Sequence, residues 1–305
     1  MIKKEVIDYI SNKLNIKNKE LIEKDLLLHL VLVKLMKNKY FKDNFVFKGG
    51  TCLTKCYLGY YRFSEDLDFT YINQDYFNNK SEKRIRKDLS LIINDIIALL
   101  VKITNNLNLE FSEDKTNTNN YDFGANNKFT TFKIWYKSLT TNRKGFIKIQ
   151  INFVELFKYP LKRRNSINLL ENINKKEFLF LFENMNELLE YPKIKVYDIK
   201  EILIEKNRAI LTRKALKARD FIDIYLILEH LNKNIKLFKN NIVEKTKFML
   251  DKYIKYNENL EVRRKLGFEY TIGDEERLLL KPINKKFGKF TKDLNIFFES
   301  IIKSF

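Results

Sequence analysis

Two aspartates two residues apart, Asp66 and Asp68, and two adjacent glycines, Gly49 and Gly50, have types and a spacing that could do chemistry. They lie in Phe47-Lys48-Gly49-Gly50-Thr51 and in Arg62-Phe63-Ser64-Glu65-Asp66-Leu67-Asp68-Phe69. On a strand, Asp-x-Asp sends both carboxylates from one face. Two carboxylates that close repel each other unless a cation sits between them. Mg²⁺ takes such an oxygen pair along with triphosphate oxygens. Glycines at a strand-to-helix junction let backbone approach a ligand, and the free N–H groups and positive end of the helix suit phosphate. Alone, a Gly-Gly is usually a turn and an Asp-x-Asp a solvated strand end. Together, with one helix between them, they outline a metal-dependent nucleotidyl-transfer site.

The elements that must position these residues follow from periodicity. Asn44–Phe47 reads as a short strand stopped by Gly49-Gly50, Thr51–Leu58 as a helix with Gly59 as its C-cap, and Asp66–Thr70 as a strand. Glu20–Lys37 reads as a mostly buried helix and Ser81–Asn105 as a strongly amphipathic one. Asn106–Asn127 reads as a loop or a wide hairpin end. Thr130–Tyr136 and Gly145–Phe153 alternate as paired strands with a turn near Asn142-Arg143. Tyr159-Pro160 to Ser166 reads as a basic connection. Tyr197–Arg213 and Asp220–Leu231 read as two helices, and the remainder to Phe305 as helical and lysine-rich. Three prolines and eight glycines in 305 residues favour long helices. Strands fall in the first half and helices dominate the second.

Composition bounds the function. An apolar share of 45% excludes wholesale disorder. Two cysteines, Cys52 and Cys56, can build neither a disulfide framework nor a zinc quartet, which suits a reducing cytosol. The N-terminus lacks the apolar stretch of a signal peptide, and no apolar run is long enough to span a bilayer. The expectation is a cytoplasmic protein with no membrane partner. With 58 Lys and Arg against 39 acids, the net charge of +19 points to a polyanion, although a Lys-, Asn- and Ile-rich composition also follows from an AT-rich genome. The excess is concentrated. Residues 121–175 hold eleven basic and three acidic side chains, and residues 193–219 nine and three.

The two motifs resemble the signature of the polymerase-β nucleotidyltransferase superfamily and, more narrowly, that of the AbiEii/AbiGii nucleotidyltransferase toxin family. A second block is similar to the family's distal motifs: Glu201-Ile202-Leu203, Glu205-Lys206, Arg208-Ala209, Arg213 and Arg219-Asp220-Phe221-Ile222-Asp223-Ile224-Tyr225. The resemblance covers about residues 40 to 230. It implies an α+β (α/β) fold: a polymerase-β-like core with a small mixed sheet over residues 1–195, then a mainly α-helical domain over 196–305. It implies that Lys48, Gly49, Gly50, Thr51 and Ser64 cradle the triphosphate, and that Asp66 and Asp68 hold Mg²⁺ or Mn²⁺. It further implies that Lys206 contacts nucleotide phosphates and that Asp220 acts as a base or positioning residue. Arg213, with Arg219, would bind phosphates. The implied partners are an NTP, an RNA acceptor such as the tRNA 3′ end, and a cognate antitoxin.

One departure stands out. Superfamily members often carry a third carboxylate on a later strand, and in Gly145–Phe153 the expected position is Gln150. Lys148, Gln150 and Asn152 share the face opposite Ile147, Ile149 and Ile151. Glu155 is near but has the wrong parity. Gln150 could line the nucleotide site or weaken a second metal position. Bland alternatives remain for several residues. Lys206 could be a solvated lysine, Asp220 a helix N-cap and Asp223 a partner of Arg219. Cys52, Cys56 and His29 read as packing residues, His230 as a helix-end cation, and Trp135 as sheet core, rim or base-stacking surface. The expected function is a nucleotidyltransferase toxin acting on RNA. The alternatives are nucleotide transfer to a protein side chain, and a non-catalytic nucleic-acid- or antitoxin-binding module that keeps a degenerate fold.

Overall fold

The computed structural model describes residues 2–270 and 274–305. The chain separates into two compact units, one of Met1–Val154 with Leu161–Val196, the other of Glu155–Pro160 with Tyr197–Phe305. The expectation of helix through to the C-terminus falls partly on residues 271–273, which lie outside the described residues.

In the first unit, helices α1 (Lys4–Leu14), α2 (Lys19–Lys37) and α3 (Lys39–Asn44) precede strand β1 (Phe45–Lys48). Helix α4 (Gly49–Leu53) continues without a break as one π-helical turn, Thr54–Leu58, which ends at Gly59 with φ +72°. Strand β2 (Asp66–Tyr71), helix α5 (Glu82–Leu107) and strands β3 (Tyr121–Gly124), β4 (Phe129–Lys137), β5 (Lys144–Asn152) and β6 (Lys162–Asn165) follow, then α6 (Lys175–Leu181) and β7 (Lys193–Val196). The strands form one mixed sheet in the order β3-β4-β5-β2-β1-β7-β6. Here β2 runs parallel to β5 and β1 parallel to β7, and the remaining neighbours are antiparallel.

One sheet face is apolar because the alternation is strict. Phe47, Leu67, Phe69, Ile147, Ile149, Ile151 and Val196 are fully buried on it. Helix α2, buried through Leu26, Val31 and Leu35, and α5, buried through Leu89, Ile93 and Leu100, supply further apolar surface to the unit's core. Asn142, with φ +58°, makes the β4–β5 turn as expected.

One reading is corrected. Lys162–Asn165 is strand β6, paired antiparallel with β7, rather than a connection. Its sequence, Lys-Arg-Arg-Asn, has no apolar residue, and an edge strand needs none. Of the two readings of residues 106–127, a loop or a wide hairpin end, residues 121–124 follow the second and form β3 against β4. Helices α1 and α6 and strand β7 went unread.

In the second unit, α7 (Ile199–Thr212) and α8 (Ala218–Leu231) are followed by α9 (Lys239–Lys252), α10 (Ile254–Leu266) and α11 (Phe287–Ile302). Its centre carries charge. Lys245 is fully buried with Glu155 at 3.1 Å and Glu201 at 2.5 Å, and Glu205 lies 3.8 Å away. Burial works against the ammonium, but the three carboxylates outweigh it and raise its pKa. The second oxygen of Glu201 accepts the backbone N–H groups of Lys158 and Tyr159, both at 2.8 Å. That pairing ties residues 155–160 to α7 and occupies Glu155 in a buried ion pair. No helix among the described residues is long and apolar enough to cross a membrane.

Candidate active site

The geometry around Asp66 and Asp68 begins with β2. Both aspartates are partly exposed, while Leu67 and Phe69 between and beside them are fully buried. Burial of the odd positions therefore presents both carboxylates on the opposite face. The register Asp66↔Lys148 and Asp68↔Gln150 on β5 and Lys48↔Asp68 on β1 places Lys148, Gln150 and Lys48 beside them. Lys148 Nζ lies 3.6 Å from Asp66 Oδ1, and Gln150 Nε2 donates to Thr131 Oγ1 at 3.2 Å. The Gln150 amide thus stands on the carboxylate face, opposite Asp68 in register.

Gly49 has φ +78°, and a Cβ there would run into the Asp68 carboxylate. Only glycine lets the backbone turn from β1 into α4 this close to Asp68. At Gly50 an added Cβ would meet Arg62 Nη2 at 2.5 Å and Ser64 Oγ at 3.0 Å, so a side chain there would have to displace the buried guanidinium. Thr51 is buried. Its hydroxyl bonds the Asp66 carbonyl and lies 2.8 Å from Ser64 Oγ, so it holds the start of β2 against the first turn of α4. Lys48, Gly49, Gly50, Thr51, Ser64, Asp66, Asp68 and Gln150 are therefore gathered in one place.

The donors suit a hard cation. Two carboxylates and an amide on one face match Mg²⁺, which takes one or two carboxylates and completes its shell with substrate phosphate and water. Among the described residues no group of three or more His, Cys, Asp or Glu is placed to hold a metal by itself. Residues 66, 68 and 150 would need phosphate oxygens to finish the shell.

The second unit holds Lys206, Asp220 and Arg213 together. Lys206 is buried, which removes the reading of a solvated lysine. Its Nζ lies 2.8 Å from Asp220 Oδ1 and 2.6 Å from Asp223 Oδ2. Arg213 Nη1 pairs with the other oxygen of Asp220. Burial opposes ionisation of Asp220, but Arg213 and then Lys206 outweigh it and hold the carboxyl well below the usual carboxylate range. Asp220 is not an N-cap: Lys217 occupies that position and Asp220 lies in the first turn of α8, buried. Asp223 receives the Lys206 ammonium as well. Its position three residues after Asp220 places both acids on one helix face.

Sequence reasoning passed over two groups that shape the site. Arg62 is buried to 2% exposure, presses against Gly50 and donates from Nη1 to the Phe63 carbonyl at 2.7 Å. No local pattern announces it. Lys55, on the π turn, is buried with Asp25 at 2.8 Å and Tyr60 OH at 2.5 Å, which anchors the helix after the glycines to α2. An Asp inside the apolar run of α2 was the available signal. Cys52 and Cys56 are buried and free, and burial together with Cys56 raises the Cys52 thiol, as befits packing residues. Burial and the Lys55 charge push the His29 imidazole down to about 3, so it is neutral core.

The family model for the nucleotidyl transferase AbiEii toxin of type IV toxin–antitoxin systems matches residues 31–297. MenT4, a nucleotidyltransferase toxin from Mycobacterium tuberculosis H37Rv, superposes with a TM-score of 0.54 at 16% identity, over 98% of this chain and 90% of that one. JHP933 from Helicobacter pylori gives a TM-score of 0.40 at 15% identity, over 100% of this chain and 94% of that one. The MenT4 likeness is one of fold. No curated protein matches the chain by sequence.

Proposed function

The chain belongs to the AbiEii family of nucleotidyltransferase toxins of type IV toxin–antitoxin systems, and on that premise we propose that it moves a nucleoside monophosphate from an NTP to an RNA acceptor. The acceptor is the 3′ end of a tRNA, and pyrophosphate leaves. The observation that carries the reading is the closeness of Gly49 backbone to the Asp66–Asp68 face.

Asp66 and Asp68 hold the cation, Mg²⁺ or Mn²⁺, with the Gln150 amide beside them. When bound, that cation supplies Lewis-acid stabilisation of charge developing on the phosphoryl oxygens, worth several kcal/mol. The chain's own groups do the rest. Backbone N–H groups at Gly49, Gly50 and Thr51 take triphosphate oxygens, with Ser64 hydroxyl and Lys48 beside them. Lys148 adds positive charge next to Asp66. Lys206 and Arg213 serve nucleotide or acceptor phosphates, and Asp220 with Asp223 fixes the Lys206 ammonium. A carboxylate so strongly stabilised in its charged form is a weak proton acceptor, so Asp220 positions rather than deprotonates. The glycine turn and the carboxylate face orient the NTP and the acceptor hydroxyl for in-line transfer. The protein works in the cytoplasm, where NTP and tRNA occur, and a cognate antitoxin opposes it.

The test is incubation of purified protein with Mg²⁺, total tRNA and each of the four labelled NTPs in turn. Label on tRNA that disappears in D66A/D68A supports the reading. Label on a protein band that survives ribonuclease moves the acceptor to protein, and equal labelling by wild type and variant removes the assigned site.

A further inference from the structure

Two basic segments that are about thirty residues apart in sequence meet in the sheet of the first unit. Strands β6 and β7 pair as Lys162↔Val196, Arg163↔Lys195, Arg164↔Ile194 and Asn165↔Lys193. Eight residues thus carry five cations and no acid, and all four residues of β6 are exposed at the sheet edge. Arg163 stands directly opposite Lys195, and like charges facing each other across a ladder destabilise it. Lys195 Nζ donates to the Asp43 carbonyl at 2.8 Å, a neutral acceptor that leaves the charge uncompensated. A sheet edge can be protected from aggregation by charge of either sign. Protection alone therefore does not account for two like charges placed face to face.

The edge also adjoins the site. The register Phe47↔Val196 with Lys48↔Asp68 puts Lys195, and Arg163 opposite it, on the face that carries Asp66 and Asp68. Arg164 leaves the other face and lies over the Tyr57 ring at 4.8 Å. Tyr57 stands on the helical stretch whose first turn is Gly49-Gly50. The Ile167 N–H, just beyond β6, donates to the Lys55 carbonyl of the same stretch at 2.8 Å. Cations on one face of a strand recur about every 6.7 Å, a spacing of the same order as successive phosphates along a nucleic-acid strand.

We propose that the β6–β7 edge is a phosphate-backbone rail for the RNA acceptor, gripping it through Arg163, Lys193 and Lys195 while its end reaches the carboxylates. The inference rests on the RNA-acceptor reading above. Such a grip holds the acceptor without reading its bases, so the rail sets affinity and salt dependence rather than base choice. Arg163→Glu separates the explanations. It keeps the edge charged and replaces a repulsive cross-strand pair with an attractive one, so the fold is at least as stable while the grip on RNA weakens.

The experiment measures binding of labelled total tRNA by wild type, R163E and R163E/K193E between 50 and 300 mM salt, with thermal unfolding midpoints and NTP binding by calorimetry alongside. The slope of log affinity against log salt should fall by about 0.7–0.9 for each phosphate that the variant no longer neutralises, and the double variant should bind roughly tenfold more weakly at low salt. The unfolding midpoint of R163E and its NTP affinity should be unchanged or higher. Variants that bind tRNA with the wild-type slope and affinity overturn the rail, and leave the edge to an acidic protein partner. A wild type that does not bind tRNA overturns it as well. A wild type that binds tRNA through these residues yet transfers no nucleotide to it keeps the rail and sinks the acceptor reading.

Discussion

The Asp66–Asp68 cluster of the first unit and the Lys206–Asp220 cluster of the second are built on opposite principles. Asp66 and Asp68 are partly exposed and of like charge, with Lys148 Nζ 3.6 Å from Asp66 and Lys48 in register with Asp68. Lys206, Arg213, Asp220 and Asp223 carry two charges of each sign, and only Arg213 among them reaches substantially into solvent. The first cluster is half-exposed, so a ligand can reach its carboxylates. The second is already balanced, and what it offers is a fixed ammonium and guanidinium. Under the proposed function a carboxylate in the first serves ligand binding, whereas a carboxylate in the second serves folding.

The comparison fails or holds on the following outcomes. Asp66→Asn and Asp68→Asn should each lower nucleotide transfer by about 10³-fold or more, the equivalent of several kcal/mol of charge stabilisation. Their thermal midpoints should stay within a few degrees of wild type, because half-exposed charge pairs contribute little to folding. A large loss of stability in either would show that the pair is structural.

Asp220→Asn should do the reverse. It leaves Lys206 and Arg213 short of a buried partner and should cost about 3–5 kcal/mol in denaturant unfolding. The pH dependence has a definite sign. The folded pKa of Asp220 lies below its unfolded value, so its stabilisation is complete above that unfolded value and disappears only as pH falls through the folded one. Between pH 6 and 9, therefore, the difference in stability between wild type and Asp220→Asn should be constant, and the transfer rate should show no limb due to this carboxyl.

Gly49→Ala should reduce transfer by roughly 10²-fold, the effect of misplacing a reacting group by about 1 Å. It should also cost about 1–2 kcal/mol for the positive φ. Radiolabel incorporation and unfolding curves on the same preparation separate the two. The smallest effect belongs to Gln150→Glu, which adds a third carboxylate beside Asp68. It should tighten Mg²⁺ binding a few-fold in calorimetry and lower the metal concentration needed for activity. Unchanged metal affinity would mean that position 150 lies outside the cation's reach.

Much of the first cluster was legible in the chain because its parts are local. A strand of period two, a Gly-Gly stop and an Asp-x-Asp are each defined within a few residues, and the register between β2 and β5 then placed Gln150 beside Asp68. The second cluster was legible only as a resemblance. Residues 206 and 220 have no local rule that joins them, and the alternative of Asp220 as an N-cap falls because the helix starts at Ala218. Strand β6 was missed because its four residues carry no apolar signal, and pairing with β7 supplies what periodicity could not. Arg62 was missed because burial of a guanidinium follows from its neighbours.

By itself the sequence determined the alternation of β2 and β5, the helical stretch after Gly49-Gly50 and the presence of two carboxylates on one face. Backbone sterics and side-chain parity act over a few residues. The tertiary structure alone decided that Gly49 lies against Asp68, that Lys206 is clamped between two acids, and that two distant basic segments become one edge. Those outcomes depend on burial and on strand register between remote segments, and charge–charge interactions acquire their strength only where the fold excludes water.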